Sequence, residues 1–177
     1  MGILIRPPRG QTYRCISADP PWKLTGGGRI KRGADRHYPL LATRDIPPTI
    51  VASPLWRPDP GGCHLWLWVV NNFLPDGLWV MEQLGFRYVT TATWAKDRFA
   101  TGYYLRGQTE QLLFGVMGKL PPVTRAPGST LIEAKRQAHS QKPDEAYVLI
   151  EAVSPGPRLE MFARAPRPGW NVWGNEV

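Results

Sequence analysis

A three-layer α/β fold with a mostly parallel sheet is what this sequence predicts, on three observations. Strand-like and helix-like segments alternate along the chain. Residues 63–70, CHLWLWVV, are apolar but for His64 and follow Pro60-Gly61-Gly62, as expected of a strand buried on both faces. No internal repeat and no linker divides the 177 residues, which suits one domain over 1–177.

The elements follow in order. Residues 13–18, YRCISA, form a β-prone run that must stop at Asp19-Pro20-Pro21-Trp22, because two successive prolines cannot continue a ladder. Residues 23–37 are rich in Gly, Arg and Lys without apolar periodicity and read as a mobile basic loop. A short helix fits 43–54, with Thr43 as N-cap and Pro47-Pro48 interrupting the pattern. After the strand at 63–70, Leu74, Leu78, Met81 and Leu84 give helical spacing that ends at Gly85. Strands follow at 86–95 and 110–116, then a second irregular basic loop at 118–140. Pro143, Asp144 and Glu145 suit the first turn of a helix over 142–153, since Pro loses no needed donor there and acids complement the helix dipole. A last major strand spans 158–163, and WNVWGN closes the chain.

Charge points to a class of partner. The net charge is +8 and the pI about 9.9, which favours a polyanion through release of its counterions. The 8 Trp residues supply core mass and also flat faces on which bases stack. Cys15 and Cys63 lie in apolar runs and do not read as a disulfide framework, so a reducing, cytoplasmic setting is expected. No run approaches the roughly 20 apolar residues of a membrane span, and the opening MGILIRPP is too short for a secretory signal. His37, His64 and His139 do not join these cysteines in a ligand set, because adjacent Cys63 and His64 on a strand face opposite ways; no metal is expected.

The chemistry is carried by Asp19-Pro20-Pro21-Trp22 at the end of a strand, where open α/β sheets gather ligands. The 6-amino group of adenine is a poor nucleophile, its lone pair being delocalised into the ring. A site that methylates it must favour a pyramidal nitrogen, and two acceptors for the amine hydrogens do so as fixed electrostatics. Asp19 supplies a carboxylate and Pro20 a carbonyl. The fixed φ of Pro20 and Pro21 holds both in place. Trp22 offers a face for a flipped-out base.

From about Tyr13 to the end, the chain resembles the adenine-N6 methyltransferase family typified by the catalytic subunit of the eukaryotic messenger-RNA N6-adenosine methyltransferase, which has many bacterial and phage members. The likeness rests on Asp19-Pro20-Pro21-Trp22, His37-Tyr38-Pro39 through Asp45-Ile46, Leu65-Trp66-Leu67-Trp68-Val69, Gly85-Phe86 through Trp94-Ala95-Lys96, His139-Ser140-Gln141-Lys142-Pro143-Asp144-Glu145, Ser154-Pro155-Gly156, Leu159 to Arg164, and Trp170 to Glu176. It implies a Rossmann-like α/β/α sandwich of the permuted, β-class methyltransferases, with the catalytic block first and S-adenosyl-L-methionine as donor. It also departs. The family's Phe-Gly-Arg is here Phe162-Ala163-Arg164, its terminal Asn-Gln is Asn175-Glu176, and a Lys of some relatives falls at Thr109, which draws attention to Glu110.

Cofactor contacts are expected from Asp19, from His139, Ser140, Gln141 and Lys142 ahead of a helix N-terminus that can hold a carboxylate, from Phe162 and Arg164, and from Asn175 and Glu176 toward ribose hydroxyls. Substrate contacts are expected from Trp22 and Tyr38 by stacking, and from Arg29, Lys31, Arg32, Arg36, Lys96, Arg125 and Arg136 by charge. The expected substrate is adenine in DNA ahead of RNA, with a homodimer or a separate specificity subunit supplying recognition. The rival reading is a catalytically degenerate methyltransferase fold that binds nucleic acid or serves as a partner subunit.

Overall fold

The computed structural model describes residues 9–23, 40–100, 104–124, 128–137 and 141–174. Among the described residues seven strands form one mixed sheet: β1 (Cys15–Ala18), β2 (Gly62–Val69), β3 (Arg87–Ala95), β4 (Thr109–Gly118), β5 (Leu131–Glu133), β6 (Arg158–Met161) and β7 (Trp170–Trp173). Their spatial order is β5-β3-β4-β2-β1-β6-β7. Helices α1 (Ile46–Val51) and α2 (Leu74–Gln83) cover one face, and α3 (Asp144–Val153) the other. This is the α/β/α sandwich the pattern predicts.

Period-two alternation sorts β2 between two cores. Cys63, Leu65, Leu67 and Val69 join Ile46 and Ile50 of α1 and Val80 and Met81 of α2. Trp66 and Trp68 face the opposite way, toward Ala146, Tyr147 and Ile150 of α3. Both sets are buried, so the run carries no polar stripe. Gly77 lets α2 settle onto the sheet, since a Cβ there would lie 2.5 Å from Val69 Cγ1 and 2.9 Å from Leu113 Cδ1.

Direction within the sheet decides which strand ends meet. β1 runs parallel to β2 and β6, β6 to β7, and β3 to β5. Only β4 is antiparallel, to both β2 and β3. The segment joining β3 to β4 is a hairpin, tied by Lys96 N to the Gln108 carbonyl at 2.9 Å and Ala100 N to the Gly107 carbonyl at 2.7 Å. A hairpin reverses its second strand. The start of β4 therefore lies at the same edge as the ends of β1, β2, β3 and β6.

Several expectations are corrected. Thr43 is not an N-cap; it opens a 3-10 turn (Thr43–Asp45), and its Oγ1 donates to Asp76 Oδ1 at 2.7 Å. Pro47 and Pro48 do not interrupt a helix but sit in the first turn of α1, where amide hydrogens have no intrahelical partner, and α1 ends at Val51 rather than 54. Pro143 takes the N-cap position of α3. The stretch 118–140 is not wholly irregular, because Leu131–Glu133 adds to the edge of β3. The strand expected over 158–163 ends at Met161, and Phe162 turns away with φ +62°.

His64 makes a buried polar tie beneath α3. Its Nε2 donates to the Leu120 carbonyl at 2.8 Å, so its Nδ1 accepts from Ser154 Oγ at 2.9 Å. Ser154 Oγ in turn accepts from Trp66 Nε1 at 2.9 Å. Burial holds this imidazole below its ordinary pKa, with Arg14 adding to the effect and the Leu120 carbonyl opposing it. Folding thus fixes a neutral ring, whereas the unfolded chain takes up a proton below about pH 6.5. The stability gained is complete above that pH and is lost as the pH falls through it. We expect the melting temperature to fall between pH 7.5 and 5.5, and His64→Gln to flatten that slope while losing about 1–3 kcal/mol overall. Melting curves across this window check it; an unchanged slope in the variant would count against the assignment.

Candidate active site

The site is built from the reacting edge of the sheet inward. Asp19 is the first residue beyond β1, and its amide donates to the Met161 carbonyl at 3.4 Å. The turn that follows is rigid. Trp22 N donates to the Pro20 carbonyl at 2.9 Å, a three-residue turn, and Leu41 N donates to the Pro21 carbonyl at 2.8 Å. The Pro20 carbonyl keeps one lone pair, as an acceptor for a substrate amine requires.

Asp19 faces cations on both oxygens. Lys142 Nζ lies 3.1 Å from Oδ1, and Arg164 Nη2 lies 3.7 Å from Oδ2. Lys142 also contacts Glu110 Oε1, and Glu110 Oε2 accepts from Lys96 Nζ at 2.8 Å. The result is a chain of alternating charge, Asp19–Lys142–Glu110–Lys96. It lies against indole faces, with Lys142 Nζ 4.9 Å from the Trp68 ring centroid and Lys96 Nζ 4.6 Å from that of Trp94. Lys142 is 8% exposed, so it is no solvated residue at a helix start.

These charges set one another. Burial pushes the Asp19 carboxyl above its usual range and Glu110 adds to that, while Lys142 and Arg164 oppose it. Burial would discharge Lys142, but Asp19 and Glu110 outweigh it and raise its pKa. Burial works against the Glu110 carboxylate too, and there Lys142 and Lys96 prevail and lower its pKa. A second group flanks the site. Tyr147 Oη donates to Glu160 Oε1 at 2.6 Å, and Arg167, paired with Asp144 at 2.6 Å, lies over the Tyr147 ring at 3.5 Å.

The structure brings together Asp19, Pro20, Pro21, Lys142 and Arg164, and separates others from their expected roles. Trp22 is not an open stacking face. It is 8% exposed, its Nε1 donates to the Trp68 carbonyl at 3.0 Å, and its ring stacks on Phe73 with centroids 5.4 Å apart. Its service is to lock the turn. Lys96 turns inward to Glu110 rather than outward to a phosphate. Arg136 is exposed, and its backbone amide donates to Asp97 Oδ1 at 2.8 Å. Gln141 is exposed beside Lys142. The Phe162 ring packs edge-on against Trp173, centroids 5.4 Å apart. The close backbone approach at Ala163 is to Gly174, where a Cβ would lie 2.2 Å from the Ala163 carbonyl oxygen. Arg29, Lys31, Arg32, Arg36, Tyr38, Arg125, His139, Ser140, Asn175 and Glu176 lie outside the described residues. Among the described residues, no group of three His, Cys, Asp or Glu is placed to hold a metal ion, and no helix is long and apolar enough to cross a membrane.

Glu160 is a site residue that the sequence reading did not name, whereas Glu110 was singled out there without a partner. Glu110 left a signal, an acid at the head of an otherwise apolar strand beside the unmatched Thr109. Glu160 left none beyond being the acid within β6.

Removing the central ammonium tests this network. Lys142→Ala leaves Asp19 and Glu110 facing each other without their shared counter-ion, at a cost of about 3–5 kcal/mol at neutral pH. Two like charges raise the folded-state carboxyl pKa, so the cost is fully felt above it and is relieved as the pH falls and one carboxyl protonates. We expect the deficit against wild type to shrink between pH 7.5 and 5 in urea unfolding. A deficit that grows on acidification would contradict the network.

The family model described as MT-A70 matches residues 13–176. The Mycoplasma protein named Type II methyltransferase M.MunI is 29% identical over 93% of this chain and 78% of its own length. The Arabidopsis thaliana N(6)-adenosine-methyltransferase MT-A70-like is 28% identical over 94% of the chain. The human N(6)-adenosine-methyltransferase catalytic subunit METTL3 is 27% identical over 93% of it. The chain spans only 24% and 28% of those two longer relatives.

Proposed function

This chain belongs to the MT-A70 family, and we propose that it transfers a methyl group from S-adenosyl-L-methionine to the 6-amino nitrogen of adenine in a nucleic acid, DNA ahead of RNA. One observation carries the reading: a carboxylate at the end of β1, pinned by Lys142 and Arg164, is followed at once by a rigid turn with an available carbonyl. The net charge of +8 supports a polyanionic substrate.

The donor fits the residues present. Its amino-acid end carries an ammonium and a carboxylate, and the site offers a matching pair in Asp19 and the more exposed Arg164. When bound, the donor supplies an electrophilic methyl group on sulfur. The chain does the rest by position. Asp19 and the Pro20 carbonyl accept the two amine hydrogens, which restores lone-pair character to the nitrogen. Lys142, held in turn by Glu110, fixes the carboxylate rotamer, and Trp22 fixes the carbonyl. The nitrogen's surplus proton leaves by way of Asp19 to water. No group of the protein forms a covalent bond to either reactant.

Nucleoside mass spectrometry tests the reading. Wild-type protein, the donor and matched single-stranded DNA, duplex DNA and RNA are expected to yield N6-methyladenine, most with DNA. Asp19→Ala is expected to lose at least about a hundred-fold in turnover, as when a preorganised polar group is removed from a transition state. Because burial raises the Asp19 carboxyl, the acid limb of turnover should lie above the ordinary aspartate range. Absence of the methylated base from every substrate, or an Asp19→Ala variant within a few-fold of wild type, would remove the proposal.

A further inference from the structure

Helix α3 is the one helix among the described residues that packs on its face of the sheet. It leaves part of that face bare. Beside its Leu149 and Val153 lies a cleft of about 580 Å³ whose floor is Trp66 of β2 with Phe114 and Val116 of β4. That volume falls within the roughly 300–1,000 Å³ of small-molecule sites. Phe114, Val116 and Gly118 alternate onto this face of β4, so the floor runs for about 13 Å at the rise of a strand, longer than one aromatic ring. The shape is a slot that suits an extended chain.

The polar atoms of the floor bond inward. Trp66 Nε1 donates to Ser154 Oγ at 2.9 Å, and the His64 ring is held by Ser154 Oγ at 2.9 Å and the Leu120 carbonyl at 2.8 Å. The floor therefore offers apolar contact. Charge stands at one end. Arg87 opens β3 and Lys119 follows the last residue of β4, and both line the cleft at the edge opposite Asp19. Both are exposed, and among the described residues neither has a side-chain hydrogen bond or ion pair. No Asp or Glu of the described residues lines the cleft. Methyl transfer at Asp19 makes no use of this space.

We propose that the cleft binds an amphiphilic carboxylate, the class of a medium-chain fatty acid, with its apolar chain along Trp66, Phe114 and Val116 and its head against Arg87 and Lys119. Burial of the chain supplies most of the affinity, because exposed ion pairs contribute little each. The head group sets the orientation and selects an anion over a neutral amphiphile. The site is separate from the reacting edge and stands whether or not the chain methylates adenine.

Calorimetry with decanoate and with decanol, both below the concentrations at which they aggregate, tests it. Wild-type protein is expected to take up one decanoate per chain and to bind decanol several-fold more weakly, in keeping with two exposed ion pairs. The paired change Arg87→Ala with Lys119→Ala, on exposed residues, should bind decanoate no better than decanol. Thr90 is an exposed lining residue opposite Phe114 in register, so Thr90→Trp fills the slot without asking the core to open. It should weaken both ligands by about ten-fold, as for the loss of a few buried methylenes. Saturating decanoate should raise the melting temperature of wild type and leave that of Thr90→Trp in place. No binding heat with wild type, or a lowered melting temperature, would overturn the proposal. So would equal binding of decanoate and decanol by wild type, or a Thr90→Trp variant that binds like wild type, since the amphiphile would then sit elsewhere. A dimer in light scattering that Thr90→Trp splits would overturn it as well, because a second copy would then cover the cleft.

Discussion

The ammonium of Lys142 lies between Asp19 and Glu110 at the edge of the sheet, and much of the architecture can be understood from what that placement requires. A buried cation costs several kcal/mol in lost hydration unless close counter-charges replace the water. Here the counter-charges come from the turn that ends β1 and from β4, and the cation from the residue before the N-cap of α3. Three elements must therefore agree in position before the charge is tolerated. The aromatic floor of Trp68 adds a contact that water cannot reach. Such a cluster is rigid because any one member that moves leaves another charge unpaired.

Strand direction is what makes the cluster possible. In an all-parallel sheet the start of a strand lies at the edge opposite the strand ends. β4 is reversed, so its second residue, Glu110, reaches the edge where β1 delivers Asp19. One topological departure thus supplies the electrostatic support for the site. The aim of Asp19 in the donor fit proposed above depends on the same reversal, through Glu110 and Lys142.

What the sequence reveals follows from the range of the physics involved. Local rules were sufficient for β2, since CHLWLWVV admits one reading, and for Asp19-Pro20-Pro21-Trp22, since prolines end a strand wherever they fall. The span of α2 was legible from its spacing. Long-range facts were not. Leu131–Glu133 is a strand only because β3 lies beside it. Trp22 looks from the sequence like a stacking platform, and only the Trp68 carbonyl and the Phe73 ring, 46 and 51 residues away, reveal it as a brace. Lys142 looks like a helix-start lysine until the two acids it binds, 123 residues upstream at Asp19 and 32 at Glu110, are brought to it.

The same reasoning separates residues that touch a reactant from those that hold others still. Asp19 is partly open to solvent, whereas Glu110 and Lys142 are closed off. A group that accepts a substrate hydrogen must be reachable, and Asp19 meets that condition. Glu110 cannot meet it without leaving both of its lysines. Its influence on Asp19 is transmitted through Lys142, as position and as charge. Replacing Glu110 therefore alters how well Asp19 is aimed and how readily it protonates, while the number of acceptors offered to the amine stays the same. The burial that makes the network costly to assemble is also what keeps its electrostatics strong, because its members touch directly in a setting of low dielectric.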